Sequence, residues 1–149
     1  MSSIPAVLAA LAALGEATLP NNQVINGGWT SETVTYGRLL LVGDEEILIE
    51  RDFDSMSDVT TSEQYVVPLA VAADLAGSDQ LLADAAALAD YEAMVQAILE
   101  HPSGHTLGLE ASGVISVLPL GSHSFRRASD KTGVHAMVRF GVQVYAQTT

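Results

Sequence analysis

The chain contains no cysteine, which excludes a disulfide framework and any zinc site built on thiolates. It is also poor in positive charge: six Lys and Arg stand against eighteen Asp and Glu, a formal net charge of −12. Nucleic-acid affinity rests on cations that neutralise phosphates, so the charge balance argues against tight DNA binding over a broad face. Lying beside DNA without adhering to it stays open. Aromatic residues make up only 5%, leaving alanine and valine to fill much of the core. No apolar run approaches the roughly 20 residues that cross a bilayer as a helix. The apolar run from Ile4 to Leu14 has no Lys or Arg before it, whereas a secretory signal needs a positive leading region. Together these absences predict a soluble protein made in a cytoplasm, with no membrane partner.

What is present suits one domain. The 149 residues, 48% of them hydrophobic, match the usual domain size of about 100–150 residues and allow a proper core. The strongest pattern lies near the end. Val134, Ala136, Val138, Phe140, Val142, Val144 and Ala146 fall on every second position, mostly with polar residues between them. That alternation predicts a strand with one buried and one mostly polar face. Val114 to Leu120 reads as a strand paired with it, and the polar stretch 121–133 as the loop joining them. Unstructured links above about 12 residues are uncommon in compact domains and usually functional. This one carries Arg126, Arg127 and Lys131, half of the chain's positive charge.

Earlier segments fill in the plan. Ser2 or Ser3 caps a helix running to about Glu16, with Pro5 in its first turn and an alanine-rich back. Thr18 to Thr35 reads as loop, holding the only tryptophan, Trp29, as a lid on the core or an interface anchor. Leu39 to Val42 is a short buried strand. The stretch 43–62 reads as loop, and the acids of Glu45 to Glu63 as a solvated surface that includes Glu46, Asp52 and Asp54. Tyr65 to Ala72 is a strand in which Pro68 predicts an edge position or a bulge. Asp79 to Glu100 is the main helix, with Leu81, Ala85, Leu88, Tyr91, Val95 and Ile98 on one face. The fold class is therefore α+β. A single mixed, mainly antiparallel sheet of about four strands is flanked by an N-terminal helix and one long central helix.

Catalytic readings find little to rest on. His101 and His105 are four apart, but Pro102 and Gly104 break the helix that would put them on one face for a metal. Asp52, Asp54 and Glu63 imitate a calcium loop, yet Met56 and Ser57 stand where a ligand and a turning glycine are required. No nucleophile elbow, phosphate loop or dinucleotide fingerprint occurs. The expectation is a protein without cofactor or turnover. Charge offers more: a basic loop (Arg126, Arg127, Lys131) and an acidic block (Glu45, Glu46, Asp52, Asp54) in one chain let copies join head to tail, against a plain scatter of surface charge.

The order of elements, with the phrases Gly37-Arg-Leu-Leu-Leu-Val-Gly-Asp44, Glu63-Gln-Tyr-Val-Val-Pro-Leu-Ala-Val71, His101-Pro-Ser-Gly-His-Thr-Leu-Gly108 and Gly133 to Ala146, resembles the tail terminator proteins of long-tailed, non-contractile bacteriophages, the minor tail protein U-like group. The resemblance runs from Ile4 to Thr148. It implies a hexameric ring of identical subunits in the virion, at the head–tail junction, put together in the host cytoplasm. Such a ring caps the tail tube protein, ends polymerisation and meets the head connector or head-closure protein, while genome DNA passes through the lumen without specific binding. Another neck ring, a small binding module and a small enzyme are the alternatives. The resemblance supplies no catalytic residues, and the interface candidates rest on charge and loop length alone.

Overall fold

The computed structural model describes residues 2–27, 37–53 and 61–148. It is an α+β fold with two α-helices and, among the described residues, a six-stranded mixed sheet. In chain order the elements are α1 (Ile4–Thr18), β1 (Asn22–Asn26), β2 (Gly37–Val42), β3 (Ile49–Phe53), β4 (Thr61–Leu75), α2 (Gln80–Leu99), β5 (Val114–Asp130) and β6 (Gly133–Thr148). The sheet runs β1-β2-β4-β6-β5, with β3 also paired to β4. Only β1 and β2 are parallel. No described helix is long and apolar enough to cross a membrane.

β4 and β6 are the spine, antiparallel from Thr61↔Thr148 to Leu75↔Val134. Their alternating residues Tyr65, Val67, Leu69 and Val71 meet Val144, Val142, Phe140 and Val138 and turn to one face, where α1 and α2 pack. α1 brings Val7 and Leu11 to this core, and its Gly15 has no room for a Cβ against Leu40. Arg38 of β2 also points to this face and forms an ion pair with the buried Asp90 of α2, which Asn22 bonds as well at 3.0 Å. A buried carboxylate needs such partners to remain charged.

Several expectations change. The stretch 121–133 is not a loop: β5 continues to Asp130, and only Lys131 and Thr132 turn the chain before Gly133. Within 18–35 lies β1, and within 43–62 lie β3 and the first residues of β4. Pro68 sits in the central strand rather than at an edge. On one side β3 pairs with β4 only up to Tyr65 and β2 only from Leu69, leaving a gap between them. The Pro68 carbonyl accepts from Gly43 N–H at 2.8 Å on that side, so its nitrogen faces the same gap and no ladder bond is lost. Glu63 belongs to the interior, not to a solvated block. α2 is also rotated from the expected face. Ala83, Ala87, Asp90, Met94 and Ile98 face inward, whereas Leu81 is 73% exposed and Ala85 and Leu88 are exposed too. Apolar residues lie all round this helix, so their spacing does not choose a face.

Candidate interface: the β5–β6 arm and the acidic groove

The far half of β5 and the near half of β6 form a hairpin arm along the edge of the sheet, with β6 paired to β4 on its other side, and the outer strand, Gly121 to Asp130, is exposed throughout. Among the described residues β5 pairs only with β6. The register slips between Pro119 and His123, where three residues face one on β6, and this irregularity lays Leu120 over Gly141. Beyond it, alternation sends His123, Phe125 and Arg127 toward the helical face and Ser124 and Arg126 to the open one.

Three contacts hold the arm to α2. Tyr91 stacks on His123 with ring centroids 4.6 Å apart, and their hydroxyl and Nδ1 lie within 3.2 Å. Arg127 pairs with Asp84 at 2.8 Å. Gln80 Nε2 donates to the His135 carbonyl at 3.0 Å. The tip is closed by carboxylates. Asp130 Oδ1 accepts from Thr132 N–H at 2.8 Å, and His135 lies between Asp74 at 2.7 Å and Asp130 at 3.1 Å. The Asp130 carboxylate, and then Asp74, hold the His135 imidazole above its ordinary value against the opposing effect of burial. Hydrogen bonds from Thr132, then His135, hold Asp130 well below the usual carboxylate range.

The three basic candidates therefore separate. Arg127 is spent on Asp84. Arg126 and Lys131 are exposed and have no ion pair among the described residues. The other cations are internal staples as well: Arg38 to Asp90, Arg51 to Glu63 and Arg139 to Asp44 and Glu45.

Across the open face lies the acidic stretch. After β2, Asp44 and Glu45 reach over the sheet to Arg139, each accepting from the same nitrogen at 2.8 Å. Asp44 is buried, and its other oxygen has no partner among the described residues. This strap walls a groove of about 400 Å³ with Glu45, Glu46, Leu48 and Glu50 against Gln64, Val66 and Pro68. A second groove of about 380 Å³ continues from Glu45, Val66 and Pro68 past Gly141 to Leu120 and Ser124. The floor is apolar, and Leu48 is 75% exposed at the edge. Glu46 and Glu50 are exposed with no ion pair among the described residues.

Asp52 lies on β3 opposite Ser62, exposed on the same open face; Glu63 is paired with Arg51 and faces the other way. Two of the three acids of the imitation calcium loop, Asp52 and Glu63, are thus on opposite faces of the sheet. Asp54 and Trp29 lie outside the described residues. The alanine back of α1 is partly open, with Ala9 and Ala13 exposed.

Sequence reasoning missed Arg139, Asp44 and the exposed leucines Leu48, Leu81 and Leu82. Arg139 had a signal: it is the one cation on the less apolar face of the best strand. A second buried cluster was also missed. Glu63 accepts from Ser3 N–H at 2.6 Å and from the Ser2 and Ser3 hydroxyls, and Tyr65 and Ser3 hydroxyls meet at 2.8 Å. Among the described residues no group of three or more His, Asp or Glu side chains is arranged to hold a metal. Compared with known proteins, the chain matches no protein-family model and no curated sequence.

Proposed function

We propose that the chain is a structural subunit of a bacteriophage virion, a tail terminator that works by shape and charge rather than turnover. Six copies form a ring at the head–tail junction. The ring covers the growing end of the tail tube, ends its polymerisation and offers its other surface to the head connector. Genome DNA passes through without specific binding, as a net charge of −12 per copy favours.

The observation that carries this reading is the arm. A strongly acidic chain keeps two of its six cations, Arg126 and Lys131, on one hairpin at the edge of the sheet with no ion pair among the described residues. It holds unpaired acids and exposed apolar residues elsewhere on its surface. Surface of that kind suits contact with other copies, because donor and acceptor patches on different parts of one subunit make head-to-tail contacts, which close into a ring where the rotation between copies allows it. The resemblance to the tail terminator group supplies the destination of the ring.

A tube-extension assay tests it. Tube subunits polymerising in the presence of the purified ring are expected to stop at a fixed length, with the ring seen at one end. Tubes that keep growing unchanged beside an intact ring would favour another neck position for it.

A further inference from the structure

We infer that the groove on the open sheet face is the socket for the arm of a second copy of this chain. This rests on the ring reading and deepens it by naming both halves of the contact. On one half, Arg126 points to the open face and Lys131 stands at the turn. On the other, Glu46 and Glu50 rim a groove with an apolar floor of Val66 and Pro68.

Charge complementarity selects the occupant. Among the described residues these are the two cations without an internal ion pair, and they face acids that also lack one. A like copy brings both signs. A second acidic partner without such an arm would be repelled at the rim, and like-charge juxtaposition is a strong discriminator between partners. The rim also exposes Leu48, which a docked hairpin would cover.

The basic edge does not reach its own groove. Arg127 to Asp84, Tyr91 to His123 and Gln80 to the His135 carbonyl hold the hairpin to α2, and β6 is paired with β4 along its other edge, so the hairpin cannot swing across the sheet. Among the described residues neither Arg126 nor Lys131 pairs with an acid of its own subunit, which leaves the acids of another copy as their partners.

Two charge-reversed full-length proteins test this. One is Arg126→Glu with Lys131→Glu; the other is Glu46→Lys with Glu50→Lys. All four positions are exposed, so each variant is expected to keep the thermal midpoint of the unmodified chain. Alone, each faces like charge on like charge, and at least a tenfold rise in the concentration needed for assembly is expected. Mixed in equal amounts, both kinds of contact become complementary again, and assembly is expected to return in a ring alternating the two chains. A cysteine pair, Lys131→Cys with Glu46→Cys, gives an independent reading. The chain has no cysteine of its own, so disulfide-linked multimers that form on oxidation of the pair, and with neither single-cysteine variant, report this contact.

Rings from each reversed variant alone, with unchanged salt dependence, would overturn the socket and leave the ring reading in place. Loss in both variants without rescue on mixing, and no cross-linked multimer, would overturn it as well. An unmodified chain that is monomeric at every concentration and never cross-links would remove socket and ring together.

Discussion

Ser3 occupies the capping position of α1, but its hydroxyl does not cap the helix. It bonds the buried Glu63 of β4 instead, and Glu63 also takes the Ser3 N–H. The charge of a helix N-terminus suits a carboxylate there, so the end of α1 is fastened to the spine of the sheet. Burial raises the Glu63 pKa, yet the bonds from Ser3 and Ser2 and the nearby Arg51 outweigh it and the net shift is downward. Burial also pushes the neighbouring Tyr65 up to about 12. Because the folded value for Glu63 is depressed, its contribution is complete above the ordinary glutamate range and is lost as pH falls through the lowered folded value. Glu63→Gln is expected to lower stability by about 1–3 kcal/mol at neutral pH. It should also flatten the acid limb of the denaturation midpoint, and an acid limb unchanged by the substitution would contradict this role. At the arm's tip the sign is opposite. The His135 pKa is raised, so its contribution is full below the ordinary histidine value near 6.5 and is lost as pH rises through the folded value. Hydrogen exchange of amides 128–135, corrected for intrinsic rates, is expected to quicken above that point, and His135→Asn to remove the step. Neither cluster shows in the sequence, because each depends on a partner about sixty residues away, Glu63 and Tyr65 for Ser2 and Ser3 and Asp74 for His135.

At the scale of elements, legibility followed how one-sided the burial is. β6 is readable because Val134 to Thr148 alternates buried positions with half-buried or exposed ones along its whole length. The far half of β5 was not, because Gly121 to Asp130 is wet on both faces and leaves no alternation to find. β3 was hidden likewise, with Glu50, Arg51 and Asp52 all exposed. α2 was legible as a helix, from its Asp79 cap to its end before Pro102, but not in its orientation. Tertiary packing chose small Ala83 and Ala87 for the close approach to the sheet and left bulkier leucines outside. Charge alone points to a basic and an acidic half of the candidate interface, but the strap, the groove and the separate duties of Arg126 and Arg127 arise from contacts between residues distant along the chain. Arg127→Ala is expected to loosen the arm from α2 while costing under about 1 kcal/mol of global stability, since a half-exposed ion pair contributes little. Faster exchange confined to β5 beyond Pro119 would show it; a lowered midpoint for the whole domain would contradict it. Gly113 marks the opposite end of the hairpin. Its φ is +84° and a Cβ there would overlap the Gln147 carbonyl. Gly113→Ala is therefore expected to cost at least about 1–3 kcal/mol, read as a fall in thermal midpoint.

Among the described residues the sheet has one face closed by helices and the other crossed by a strap of acids. The chain's net charge of −12 keeps copies apart at long range. At physiological salt that repulsion is screened beyond about 8 Å, while a docked ion pair acts at closer range. Assembly through arm and groove should accordingly survive moderate salt and weaken toward 1 M, where screening reaches about 3 Å. Ring formation is read from the mass of the chain by light scattering across a range of concentration, with electron micrographs of the same fractions. A mass of six subunits and six-fold rings with a hole wide enough for duplex DNA is the expected result. A monomer at every concentration and salt, with no rings in the micrographs, would contradict it.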